Sequence, residues 1–414
     1  MRIPLKIKLG STSIAGMFFA VFLLELFLGG AGRLTTFGPL TLRMYLFILG
    51  LFGLGLLLMT GKKLTKTTVS LMLIFGCVFA VAIVRGLFNS EEYSRIFDDA
   101  KMVSFFFILP FFDIMINDYR TANKAVRLLK FSALFMAVAY LIFFMVLNLR
   151  LIPFLTIYEA MSKPEYFAEF GFRGEIAMIY KGFVYVAIGY FFYFFSPKGK
   201  RNTLKIVVIF VAIMLTLVRA YMLLIFGMTF FYIVYRFLVA RQNRILNIVV
   251  ISTIIITALA FVPVALEQLG NKSISDNIRY MQIQQVAEMV NPISFFIGHG
   301  YGVGVPIRPG HMEIMYLELF HKQGLIGLAF WLFLLIYIFF KAYNYKVYRE
   351  KWNDEIGIDT RPFLFGIAFV YLQSVFNPYL TNSMGMTFLF ITLVIFEKLK
   401  KFHGQKNLGM HGDL

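Results

Sequence analysis

The sequence predicts an all-α polytopic integral membrane protein with about twelve transmembrane helices and a large outer loop bearing short helices. Three observations carry this. The 414 residues are 59% hydrophobic, 18% aromatic and only 15% charged, with a mean hydropathy of +0.76, outside the range of a soluble domain. The apolar runs are mostly ~15–23 residues long, what a helix needs to cross a ~30 Å hydrocarbon core; a barrel strand would be a ~10-residue alternating segment. Finally, Lys and Arg are segregated by loop.

In chain order, the first span is 12–30. It follows a basic start (MRIPLKIK) and ends without a small-residue cleavage site, so it reads as uncleaved. The second, 38–60, stops at Lys62 and Lys63. The third, 67–85, contains Cys77, the chain's one cysteine, which reads as a small core residue and excludes an internal disulfide or a Cys-based metal site. Spans follow at 102–117, 130–148 and 176–195. The apolar stretch 204–239 would reach ~54 Å as one helix at ~1.5 Å per residue, so it divides near Arg219 into 204–218 and 221–239. The last four are 246–264, 324–341, 362–378 and 384–398.

With the N-terminus inside, alternate loops each hold three to five Lys or Arg, 26 of the 40 in all. This alternation predicts cytoplasmic termini. The net charge of +18 is then mostly topological, suited to anionic lipid headgroups rather than to nucleic acid. No stretch outside the spans is long enough for a globular domain, so residues 1–414 form a single membrane domain. The halves 1–207 and 208–414 show no repeat, against a transporter of duplicated halves. Two long outer loops, 149–175 and 265–323, would cap a site. A shorter one, 86–101, carries four acids and reads as a solvated helix.

The polar groups concentrate in 276–327, a Gly-punctuated island with His299, His311 and His321 among Arg279, Arg308 and Lys322. Arg219 (LTLVRAYMLL) has apolar helix on both sides, so it either snorkels or meets an anion at the outer mouth. Arg279 lies on an amphipathic outer helix, DNIRYMQIQQVAEMV, where pairing with Asp276 is the plain alternative. Arg173 precedes the sixth span, and Lys181 lies inside it, where a charge needs a partner or a route to the interface. Gly298-His299-Gly300-Tyr301-Gly302 lacks the strand and helix of a nucleotide loop and reads as a tight turn allowing close approach. His311 opens a predicted helix, HMEIMYLELFHKQG, whose spacing aligns His311, Met315 and Glu318. A neutral imidazole suits a general base for a sugar hydroxyl, local capping being the alternative. Spacings of twelve and ten between His299, His311 and His321 match no metal-ligand motif.

These pieces in this order resemble the O-antigen polymerase and ligase superfamily, over roughly residues 170–400. LTLVRAYML is similar to the family's L-T-x-S-R element, with Val218 in place of Ser, and HMEIMYLELFHKQGLIGLAFW to its H-N-x-x-L…G-L-I-G-L block, with Met312 in place of Asn. RPGHMEIMYLELFHKQGLIGL, through Arg308, Glu313 and Tyr316, looks like the Wzy-type polymerases' R-x-x-x-x-E-I-x-Y-L…K-x-G-L-I-G-L pattern; NPYLTNSMGM resembles the turn between their last spans. The resemblance implies a GT-C-like, metal-independent and cofactor-free glycosyltransferase of the bacterial inner membrane, active at the periplasmic face. Its donor and acceptor would be undecaprenyl-pyrophosphate-linked oligosaccharides, within membrane lipid, and a chain-length regulator protein is an implied partner. Arg219, Arg279 and Arg173 would hold the pyrophosphate. His311 or Glu313 would be the base, and Arg308, Tyr316, Lys181 and His321 further substrate contacts. The alternatives are a ligase transferring glycan to lipid A–core and a twelve-span transporter or flippase of an anionic substrate.

Overall fold

A computed structural model describes residues 14–38, 40–163, 169–173, 175–196, 199–240, 252, 273–351 and 358–411. The protein is all-α and polytopic. Five helices are long and apolar enough to cross a membrane: α2 (Leu42–Met59), α3 (Lys66–Asn89), α6 (Tyr119–Asn148), α10 (Arg219–Ala240) and α13 (Met315–Lys351). Three shorter apolar helices, α1 (Ile14–Leu28), α8 (Phe183–Phe194) and α15 (Ser383–Glu397), lie among them. α9 (Lys200–Leu215) and α14 (Arg361–Gln373) match the seventh and eleventh expected spans. The expected span 246–264 lies, but for residue 252, outside the described residues.

The helix ends are chemically marked. Thr41, Thr65, Asp118 and Asn382 each accept a backbone N–H from the first turn of α2, α3, α6 and α15, satisfying donors that a helix start leaves unpaired. α6 packs against α1, α8 and α9, and α8 against α14, so α8 is buried almost throughout. An aromatic core joins distant spans: the Phe75 and Phe106 rings stack at 4.2 Å, with Phe330, Trp331 and Phe390 around them. The outward faces are apolar and exposed, as with Ile48, Phe52, Leu73, Phe231, Ile336 and Phe340. A surface of this kind suits acyl chains rather than water.

Three local expectations change, and the expected break near Arg219 holds. The span 102–117 is not one helix. α4 (Tyr93–Val103) runs into a 3₁₀ turn (Ser104–Ile108) and then α5 (Leu109–Met115), where Pro110 sits at the helix start. The break in 204–239 falls at 216–218, where Leu217 takes a left-handed φ of 54° and α10 begins at Arg219. Lys181 lies before α8 rather than inside a span: after α7 (Phe154–Met161), β3 (Phe170–Arg173) forms an antiparallel hairpin with β4 (Ala177–Tyr180), as β1 (Thr36–Phe37) does with β2 (Leu40–Thr41). His311 precedes its helix: Pro309 and Gly310 follow a Val305–Arg308 bridge, and α13 starts at Met315. α13 is itself interrupted at Gly324, whose φ of 66° lets its backbone meet Phe296 and Ile297 of α12 (Pro292–Ile297).

Candidate functional site

A cavity of about 1010 Å³ opens among segments 31–48, 97–105, 169–181, 218–221 and 373–384, with His311 at its edge. Glu169 builds one wall. Its carboxylate accepts the Ala31 and Arg33 backbone N–H groups at 2.8 Å each, and its carbonyl accepts Lys181 N–H at 3.0 Å. The hairpin is thereby fastened over the turn after α1. Buried Arg43 closes an adjoining wall, donating to Glu25, the Gly30 carbonyl and Ser383 Oγ at 2.9, 2.7 and 2.7 Å. Arg33, Lys101 and Lys181 add cations to the lining, against Asp98 and Glu169.

His311 is half exposed and backed by a buried charge cluster. Lys322 Nζ donates to Asp99 at 2.8 Å, Glu318 at 2.6 Å and the Gly310 carbonyl at 2.9 Å. His311 Nδ1 lies 3.1 Å from Glu318 Oε1 and 3.3 Å from Asp99 Oδ1. The hydrogen bond to Glu318 raises the imidazole's pKa above its ordinary value, against desolvation and the Lys322 charge. With Nδ1 engaged by a carboxylate, Nε2 is left to exchange a proton at the cavity edge. Asp99, His311 and Glu318 also have the spacing of a metal site, but the Lys322 ammonium already bridges the two carboxylates.

The Gly-rich turn holds this cluster in place. Tyr301 N–H donates to Ala82 O at 2.9 Å, Asn89 Nδ2 to His299 O at 2.8 Å, and Gly302 N–H to Asp99 at 2.7 Å. A Cβ on Gly300 would run into the Gly86 and Arg85 backbone of α3. The turn therefore serves helix approach.

Arg219 stands apart among the arginines. It caps α10 next to cavity residues Val218 and Tyr221, and its buried Nε and Nη2 have no hydrogen-bond partner. A guanidinium left this way is matched to an anion. Arg279, on α11 (Ser273–Met289), is instead engaged: Nε donates to Glu313 at 3.1 Å and Nη1 to Asp276 at 3.3 Å. Arg308 donates to the other Glu313 oxygen at 2.8 Å. These three residues come together, and none lines the cavity, whereas His311 and Lys181 do. Tyr316 donates to the Tyr371 carbonyl at 2.8 Å, and buried His321 stacks on His299 at 4.6 Å between centroids. Arg173 ends β3 opposite Ala177; its side chain lies outside the described residues.

Sequence reading gives no role to Asp99 or Gln373, counts Lys322 only among the cations of the polar island, and aligns Glu318 with His311 by register alone. Asp99 sits in the helix taken as solvated, yet it is buried. The available signal was Glu318–Lys322, a one-turn charge pair at the edge of an apolar span, where unpaired charge is costly.

No family model matches the chain. The O-antigen polymerase of Shigella flexneri is 26% identical over 401 residues, covering 96% of this chain and 98% of that protein. The resemblance to Wzy-type O-antigen polymerases thus extends over nearly the whole chain, including the first five spans, where motifs alone are silent.

Proposed function

We propose that the protein is a glycosyltransferase of the bacterial inner membrane that polymerises undecaprenyl-pyrophosphate-linked repeat units. Both termini are then cytoplasmic and the cavity is periplasmic. The full-length similarity to an O-antigen polymerase supports the class. The observation that carries the chemistry is Arg219, a half-buried guanidinium whose buried Nε and Nη2 are unpaired, beside a cavity edged by carboxylate-backed His311.

In this reading the growing glycan on its pyrophosphate is the donor, and a hydroxyl of a second lipid-linked unit is the acceptor. The hydroxyl oxygen forms a bond to the donor's anomeric carbon as the bond to pyrophosphate breaks. The pyrophosphate leaves with the electron pair, and Arg219 meets its developing charge with a planar, permanently charged fork. The proton passes to His311 Nε2, with Glu318 orienting the ring and stabilising the imidazolium. No metal is required, since Arg219, Lys101 and Lys181 supply positive charge. Arg279 and Arg308 hold Glu313 and the outer helix in register, and Arg279 contacts pyrophosphate only where Glu313 gives way. Glu313, held between two guanidinium groups, is the poorer base. Arg173 approaches on the hairpin as a third phosphate contact. Tyr316 and His321 support the wall, and a chain-length regulator binds outside the cavity.

Deletion of the gene tests this. A polymerase leaves single repeat units on lipid A–core. Bare core with accumulated lipid-linked polymer would make the protein a ligase, and repeat units trapped on the cytoplasmic side a flippase.

A further inference from the structure

The wall between α10 and the turn after α14 carries a side chain that this transfer chemistry does not use. Gln373, the last residue of α14, is 0% exposed and lines the cavity, and neither Oε1 nor Nε2 has a hydrogen-bond partner in the protein. Its surroundings are well ordered by hydrogen bonds. Ser374 Oγ donates to Val370 O at 2.7 Å and accepts Leu380 N–H at 3.0 Å, which folds the turn back on the helix. Asn377 N–H donates to Gln373 O at 3.1 Å, placing a second amide on the cavity wall. Tyr379 and Tyr221 meet through their hydroxyls at 2.7 Å, tying the turn to the start of α10 beside Arg219. The backbone here is satisfied without the Gln373 amide, which has no structural task of its own. A buried amide with both ends unpaired is uncommon and points to a missing partner.

The chemistry of the partner follows from the amide. It offers an acceptor and a donor side by side, and vicinal sugar hydroxyls return the complementary pair. A phosphate offers acceptors only, and a prenyl chain offers neither. We infer that Gln373, with Asn377 beside it, is a glycan subsite that reads neighbouring hydroxyls of the sugar next to the pyrophosphate. This rests on the polymerase reading for its ligand, since it takes the pyrophosphate to lie at Arg219.

The test uses full-length protein in nanodiscs, wild type and Gln373→Met, with two probes: undecaprenyl pyrophosphate, and lipid-linked repeat units extracted from the deletion strain. Two hydrogen bonds predict that wild type binds the glycan-bearing lipid roughly 10- to 100-fold more tightly than the bare one. The variant should bind both alike, keep wild-type affinity for the bare lipid, and melt at the same or a higher temperature. Wild type without a glycan preference, or a variant that retains it, overturns the subsite. So does a variant that melts lower and loses affinity for both lipids in parallel, since the amide would then be structural. Polymer formation is scored separately. Wild type that prefers the glycan lipid but builds no ladder refutes the polymerase reading and leaves the subsite standing.

Discussion

Lys322→Met should destabilise the protein more than any single change on the cavity surface. The ammonium is the shared donor of Asp99 and Glu318 at 2.8 and 2.6 Å, with side-chain exposures of 4–9% across the three groups. Removing it leaves two buried carboxylates whose oxygens lie within 4.8 Å of each other. At an effective dielectric of about 20 their repulsion is ~3 kcal/mol, in line with the ~3–5 kcal/mol cost of breaking a buried pair. His311 supplies a second signature. Its imidazolium is the remaining cation within reach, at 3.1 Å from Glu318 and 3.3 Å from Asp99. Its folded pKa is raised, so its stabilisation is fully present below the unfolded value of ~6.5 and lost as pH rises through the folded value. Loss of Lys322, which opposes protonation, extends that window upward. Melting of detergent-purified Lys322→Met should therefore fall several degrees below wild type at pH 8 and recover in part near pH 5.5. Adding Asp99→Asn and Glu318→Gln should restore stability at pH 8, because no uncompensated charge remains. A single mutant that melts like wild type at pH 8, or a deficit that widens on acidification, would refute the ion-cluster reasoning.

Further outcomes separate the arginines, the base and the topology. Arg219→Lys should cut polymerisation by roughly 10²–10³ at normal protein levels, because an ammonium does not reproduce a bidentate fork. Arg279→Lys should lower thermal stability along with activity, having lost carboxylate partners; a normal ladder from Arg219→Lys removes that residue from the site. His311→Ala should reduce turnover by ~10²–10⁴ while donor binding persists. Wild-type activity should rise with pH through an apparent pKa above ~6.5, the value of a free imidazole; a profile unchanged in His311→Ala assigns that limb to another group. In a Cys77→Ala background, Ser162→Cys should react with a membrane-impermeant thiol reagent added to the periplasm and Asn202→Cys should not. The reverse pattern inverts the membrane orientation.

Much of the fold was legible because lipid imposes a simple rule on every span. Length and hydropathy locate α2, α3 and α15 to within a few residues, since a spanning helix must satisfy its own backbone, whereas α6 begins eleven residues before its expected span. The rule weakens where polar partners come from elsewhere in the chain. Residues 102–117 read as a span by averaged hydropathy, but Asp113 bonds Lys398 at 2.7 Å and the N–H of Thr65 at 2.8 Å, anchoring a short helix there. The hairpin at 170–180 was hidden similarly. Its strands of four residues are apolar enough to merge with α8, and the Glu169 contacts that fold it over the cavity reach back 136 and 138 positions.

The site divides along the same line. Composition shows that three histidines gather with Arg279, Arg308 and Lys322 in residues 276–327, and motif order shows a family resemblance. Which arginine is available is a property of three-dimensional pairing. Arg279 and Arg219 are both expected to hold the pyrophosphate, the first from an amphipathic helix and the second from an apolar one. Arg279 nevertheless meets Glu313 across 34 positions, whereas Arg219 follows a left-handed residue at 217 and leaves two buried nitrogens unpaired. The same holds for the base. His311 was chosen for its side chain, and helical register aligned it with Glu318. The helix starts four residues later, and Glu318 lies 3.1 Å from the ring because Lys322 draws Glu318, Asp99 and the Gly310 carbonyl together. The contact was anticipated through a helical register that the Pro309-Gly310 turn does not provide. A substitution at Gly310 that leaves Lys322 paired should therefore preserve the His311–Glu318 dyad, whereas loss of Lys322 should disrupt it with the helix intact.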